Sequence, residues 1–232
     1  MNGILLALAI ALLVALELGL PARDRTDARA AGAPASASQP CGDVTQLTRP
    51  ADLLLLEGPD RASWQRPDQI MDELRIGETS VVADIGAGSG WFTIRLARRV
   101  PNGRVYAQDV QREMVAAIER RVRREGLDNV DTVLGKTTSP GLDENVRLDA
   151  ILIVDVYAEI DERVTFLRNL TASLKPHGRI GVVNYKPGAG GPGPCADRRF
   201  PASVVEQDAR AADLRVVSTM DLRYQYVVVL SR

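Results

Sequence analysis

Residues 83–91 read ADIGAGSGW. Glycines at 86, 88 and 90 follow an acid, Asp84, and the apolar pair Val81 and Val82. A short, β-branched, continuous apolar run is the pattern of a strand buried on both faces. Glycine directly after it permits positive φ and removes the Cβ that would hold a ligand away from the main chain. The next segment, SGWFTIRLARRV, places Phe92, Ile94, Leu96 and Ala97 inward and arginines outward, which reads as a helix starting near Ser89. Its first turn offers unpaired N–H groups and the positive end of a dipole to something anionic.

The same alternation extends in both directions. RPDQIMDEL (66–74) starts a helix at Pro67 and Asp68, GRVYAQDV (103–110) is a second strand, and QREMVAAIERRVRREG (111–126) is an amphipathic helix closed by Gly126. NVDTVLG (129–135) and LDAILIVDV (148–156) are the third and fourth strands. DERVTFLRNLTASLKP (161–176) is a helix ended by Pro176, and RIGVVNY (179–185) is the fifth strand. KPGAGGPGP (186–194) is a loop, PASVVEQDARAA (201–212) a helix, and LRVVSTM and YQYVVVL are a closing strand pair. Strand alternating with helix argues for a parallel sheet covered on both sides, whereas two strands with almost nothing between them pair antiparallel. The expected fold is α/β: a doubly wound, Rossmann-like, seven-stranded sheet, mostly parallel, with a C-terminal antiparallel hairpin.

In such a sheet ligands bind beyond the carboxyl ends of the strands. A phosphate-cradling loop needs Gly-Lys-Ser/Thr, and here Trp91 and Phe92 follow Gly90. A dinucleotide fingerprint needs its last glycine at position 91, which is tryptophan. A nucleoside that lacks phosphates and carries an amino-acid head group is left. The motif Asp84-x-Gly86-x-Gly88-x-Gly90 resembles the first motif of the class I S-adenosylmethionine-dependent methyltransferases, and the resemblance runs from about residue 62 to the end. Within that family the chain looks most like a bacterial group with WQRPD before the first motif, here residues 64–68, and YQY in the last strand, here residues 224–226.

The resemblance implies S-adenosylmethionine as cofactor. Gly86, Gly88 and Gly90 would lie against its methionine part, Asp84 would sit near its amino group, and Ile85 and Ala87 would supply backbone contacts. Asp109, nineteen residues after Gly90, matches the acidic ribose ligand, since a carboxylate can accept from both ribose hydroxyls. Val110 and Gln111 would flank the nucleoside. The family's adenine contact is often acidic; here GKTTSP leaves Lys136 or Thr137. Just past the fourth strand, Asp155, Tyr157 and Glu159 are the candidate catalytic groups; the group it resembles often has Asn and His where this chain has Asp155 and Ala158. Tyr185 is a candidate for the acceptor pocket, with residues 187–193 as a lid.

Each feature also has a plain alternative. Asp109, Asp155 and Glu159 could cap helices, His177 sits in a Pro-His-Gly turn, and Arg120, Arg121, Arg123 and Arg124 read as a solvated helix face. The chain has 232 residues, a net charge of -1 and one histidine, so no basic field points to nucleic acid and no multi-histidine metal site is available. No metal is expected.

Residues 4–16, ILLALAIALLVAL, have the length of a secretory signal's apolar core, yet the arginines follow the run rather than precede it. Residues 1–30 are therefore read as a signal peptide that exports the protein or, alternatively, as an anchor holding the domain on the cytoplasmic side, with membrane association through residues 4–20. Residues 31–60 read as a flexible linker and 61–232 as the methyltransferase domain. Cys41 and Cys195 could pair in an oxidising compartment. The expected function is methyl transfer to a small-molecule or lipid-like acceptor. The alternatives are a non-catalytic nucleoside-binding protein of the same fold and a nicotinamide-dependent oxidoreductase.

Overall fold

The structure is a computed structural model that describes residues 57–232. The expected leader, residues 31–56 of the expected linker and Cys41 lie outside the described residues. Two short helices, α1 (Arg61–Gln65) and α2 (Pro67–Glu73), come first. Arg66 between them is left-handed, with φ 53, and Pro67 opens α2, where its fixed φ suits the first helical turn. The sequence signals found α2. They did not find α1, whose five residues are too few to show a helical period.

The rest alternates as expected: β1 (Val81–Ile85), α3 (Trp91–Arg99), β2 (Arg104–Asp109), α4 (Arg112–Arg124), β3 (Val130–Leu134), β4 (Leu148–Val154), α5 (Arg163–Ser173), β5 (Leu174–Tyr185), α6 (Ala202–Ala211), β6 (Arg215–Asp221) and β7 (Gln225–Ser231). One seven-stranded sheet has the order β3-β2-β1-β4-β5-β7-β6, and only β7 runs antiparallel to its neighbours. Two of the boundaries that differ from expectation have a clear cause. α3 begins at Trp91 rather than Ser89, because Gly90 is left-handed with φ 80. β5 begins at Leu174 rather than Arg179. Its pairing to β4 jumps from Leu148↔Leu174 to Ala150↔Arg179, and the bulge holds Pro176, which has no N–H to give to a ladder.

The helices cover both faces of the sheet. Along β4, Ile151 and Ile153 pack with Phe166, Leu167 and Val228, while Ala150 and Leu152 pack on the other side with Val82, Leu96 and Val227. Both faces of β4 are therefore buried, which is why its sequence is continuously apolar instead of alternating. The strand order reverses between β1 and β4, and the crevice beyond their carboxyl ends is where such a sheet receives a ligand. Because β7 is antiparallel, its first residues sit beside the last residues of β5 at that same end. Among the described residues, no helix is long and apolar enough to cross a membrane, and no cluster of metal-ligating side chains forms.

Candidate functional site

Gly86, Gly88 and Gly90 have φ of 67, 56 and 80, all left-handed. At Gly86 a Cβ would also stand 2.7 Å from both methyls of Val156, so neither the angle nor the space admits a side chain. The turn is fastened to the end of β2 by side chains. Gly86 N–H donates to Gln108 Oε1 at 3.1 Å, and Gly88 N–H donates to Asp109 Oδ2 at 2.9 Å. The other oxygen, Asp109 Oδ1, accepts from Gln111 N–H at 2.9 Å. The Val110 N–H also acts on this carboxylate, which lines the crevice.

The crevice is a cavity lined by Asp84, Ile85, Gly86, Ala87, Gly88, Asp109, Val110, Gln111, Lys136, Thr137, Asp155 and Glu159 among others. Gly90 caps α3 instead of lining it. Asp84 is 2% exposed and accepts from Thr93 Oγ1 at 2.6 Å. Burial pushes its carboxyl up to about 6, against the opposing pull of Thr93 and Arg61. Burial likewise raises Asp109, against the main-chain N–H groups that favour its charged form.

At the end of β4, Asp155 is left-handed with φ 63, a conformation that Asp tolerates better than most residues. Gln225 Nε2 donates to its Oδ1 at 2.6 Å, and Arg61 Nη2 stands 3.9 Å from its Oδ2. Burial raises the Asp155 carboxyl to about 7, with Arg61 and then Gln225 and Gln65 opposing. Glu159 is also raised by burial, with Arg198 opposing and Asp109 adding to the rise.

Three expectations need correction. Tyr157 does not reach the cavity: its ring is fully buried in the core and its hydroxyl donates to Asp208 Oδ2 at 3.1 Å, an oxygen also held by Arg163 Nε at 2.7 Å. Its 3-10 turn (Tyr157–Glu159) points it down the sheet while Glu159 points up. Residues 187–193 do not line the cavity. They lie on aromatic rings, and a Cβ on Gly193 would be 2.4 Å from the ring of Tyr185. Arg199 ties this loop down, donating to the carbonyls of Gly190 and Pro194 at 2.7 and 2.8 Å. Arg121 is not on a solvated face. It donates to Glu57 Oε1 at 2.6 Å and to Ser89 O at 3.2 Å, so Glu57, within the stretch read as linker, is drawn across the glycine turn.

The residues missed by sequence reading come mostly from the start of the described chain. Arg61 lines the cavity, with its guanidinium 4.3 Å from the centre of the Trp91 ring, which Arg95 also approaches at 3.4 Å. No local pattern marks Arg61, because its partners lie far away along the chain.

The comparisons agree with this geometry. Residues 82–178 match the family model described as a methyltransferase domain. A solved S-adenosylmethionine-dependent methyltransferase from Aquifex aeolicus superposes with a TM-score of 0.75 at 26% identity, over 79% of this chain and 98% of that one. Residues 82–178 form a methyltransferase domain, and the fold that carries them is similar to that of a solved S-adenosylmethionine-dependent methyltransferase. Among curated relatives, a probable cobalt-precorrin-6B C(15)-methyltransferase of Methanothermobacter thermautotrophicus is 33% identical over 46% of this chain and 53% of its own length. A demethylmenaquinone methyltransferase of Anoxybacillus flavithermus is 26% identical over 51% of this chain and 49% of its own length. The chain thus spans about half the length of the curated relatives it matches.

For a methyltransferase of this class the crevice has suitable chemistry for S-adenosylmethionine. A bare main-chain turn leaves room for the methionine chain, and buried Asp84 and the Asp109 carboxylate line the same cavity.

Proposed function

We propose that the protein methylates a small-molecule or lipid-like acceptor, with S-adenosylmethionine in the crevice beyond the carboxyl ends of β1, β2 and β4. The observation that carries this reading is the Asp109 carboxylate, fixed by main-chain N–H groups at the end of β2 and lining the same cavity as the glycine turn, where it would accept from the ribose hydroxyls. Gly86 and Gly88, with the backbone of Ile85 and Ala87, would hold the methionine part and Asp84 its ammonium group. Val110 would flank the nucleoside, and Lys136 and Thr137 would meet the adenine edge.

When bound, the cofactor supplies a methyl group on a sulfonium. The protein's work is then to hold that methyl against an acceptor lone pair and to keep water out, which can lower a barrier by roughly 7–11 kcal/mol. Asp155 and Glu159 are the acids on the cavity wall beyond β4. Asp155, raised by burial to about 7, is matched to taking a proton near neutral pH from an O–H or N–H acceptor. Asp155 would take the acceptor's proton; with the cofactor held here, the acceptor lone pair would bond to the methyl carbon while the S–CH3 bonding pair returned to sulfur, leaving S-adenosylhomocysteine.

A lipid-like acceptor and export, or a cytoplasm-facing anchor, are suggested by residues 4–16 alone. A reporter enzyme fused after residue 60 would be active on only one side of the membrane.

The function test is to incubate the full chain with S-adenosylmethionine and small-molecule extracts of soluble and membrane fractions, then measure S-adenosylhomocysteine. Release with one fraction, absent with Asp109→Ala, supports methyl transfer. Tight binding with no release from any fraction would instead favour a non-catalytic binder.

A further inference from the structure

The two sequence signatures outside the glycine motif, WQRPD at 64–68 and YQY at 224–226, meet at one place. Arg61 Nε donates to Gln65 Oε1 at 2.6 Å, Gln65 Nε2 to Gln225 Oε1 at 2.9 Å, and Gln225 Nε2 to Asp155 Oδ1 at 2.6 Å. Arg61 then returns to Asp155 Oδ2 at 3.9 Å. Four side chains from α1, β7 and the end of β4 close a ring. Gln65 and Gln225 are fully buried in it, and Arg61 and Asp155 face the cavity.

The ring has a direction. A guanidinium can only donate and an ionised carboxylate can only accept. With Arg61 at one end and Asp155 at the other, each amide between them has one orientation that satisfies both its neighbours. Turning Gln225 over would set carbonyl against carboxylate and amide N–H against the Gln65 amide N–H. The ring therefore keeps Asp155 Oδ1 as an acceptor, and Gln65 acts on the same carboxylate as a second donor.

We propose that Gln65 and Gln225 are positioning residues that hold Asp155 as the proton acceptor of this site, which restricts the methyl acceptor to O–H or N–H groups. This rests on the methyl-transfer reading for its chemistry, while the ring itself stands on the geometry. Burial alone would favour a neutral Asp155; the directed ring favours the carboxylate, and the two opposing effects leave it able to change state near neutrality. The other ionisable groups acting on Asp155 are Arg61 from α1, Arg199 from the segment before α6, and Tyr185 at the end of β5, whose own hydroxyl is raised by burial and by Asp155.

The test is a carbon-13 titration of the full chain labelled at aspartate side-chain carboxyls. The Asp155 signal is the one lost in Asp155→Asn. In the unsubstituted chain it is expected to titrate with a midpoint of about 7. Gln225→Met removes the donor to the carboxylate and should raise that midpoint by about one pH unit or more. Gln65→Met removes the weaker direct donor and frees the orientation of Gln225 but leaves Gln225 able to donate, and should raise it by less. A midpoint near the ordinary carboxylate value in the unsubstituted chain, or one unmoved in both variants, overturns the proposal. Should Gln225→Met fail to fold, Gln65→Met decides alone. Calorimetry with S-adenosylhomocysteine on the unsubstituted chain separates the two readings: no binding there defeats the methyl-transfer assignment and leaves the titration result intact.

Discussion

The two walls of the crevice are built differently. On the β1–β2 side, the contacts are main chain against neighbouring side chains: Gly86 to Gln108 and Gly88 to Asp109, joining the turn after β1 to the end of the adjacent β2 about twenty positions on. On the β4–β7 side, Asp155 is set by Gln225, seventy residues away, and Gln225 by Gln65, 160 residues away. The first wall is a local device repeated wherever this turn occurs. The second is assembled by the topology, which places the start of antiparallel β7 beside the end of β5, one strand removed from the end of β4. A wall made of backbone suits the part of a ligand that is always the same, and one made of distant side chains suits the part that differs between enzymes.

The sharpest way to break that contrast is at Gly86. Gly86→Val forces a side chain into a left-handed position and against Val156, at a cost of about 1–3 kcal/mol in stability, and should abolish measurable S-adenosylhomocysteine binding in calorimetry. Asp109→Ala is next. It removes the acceptors for Gly88 and Gln111 as well as for ribose and should weaken binding tenfold or more, with the fold retained in circular dichroism. The β4–β7 wall should leave cofactor affinity nearly unchanged when it is altered, and Asp155→Asn tests this in the same titration.

These walls also differed in how far they could be read. The glycine turn, the strand before it and the acid at the end of β2 were legible because each is a pattern within a few residues. Asp84, Asp109 and the cavity-lining glycines were found that way. Burial on both faces made β4 equally plain. Arg61, Gln65 and Gln225 were invisible as a site because nothing local marks a glutamine whose partner lies across the sheet. Tyr157 was misassigned for a related reason. Its position just past β4 was right, but a 3-10 turn sends neighbouring residues in different directions, and a sequence does not say which one points up.

A third effect is on pH. Asp155 and Asp84 are raised by burial to about 7 and about 6 from 3.8, so the folded chain holds protons that the unfolded chain has released. Stability from these groups is complete below about pH 4 and is lost as pH rises through 6 and 7. Thermal midpoints should therefore fall between pH 5 and 8. Asp84→Asn should flatten the lower part of that fall and Asp155→Asn the upper part; a midpoint that rises over this range contradicts the burial of both acids. The smallest effect is expected at Tyr157→Phe. It loses one hydrogen bond to an oxygen that Arg163 still holds, about 1 kcal/mol of stability, with no change in ligand affinity.

The most direct measurement is a diffraction structure of the full chain crystallised with S-adenosylhomocysteine. Both ribose hydroxyls should lie within hydrogen-bonding distance of the Asp109 carboxylate, with the homocysteine chain along residues 86–88. A ligand bound elsewhere, or a ribose turned away from Asp109, would contradict the assignment of this crevice.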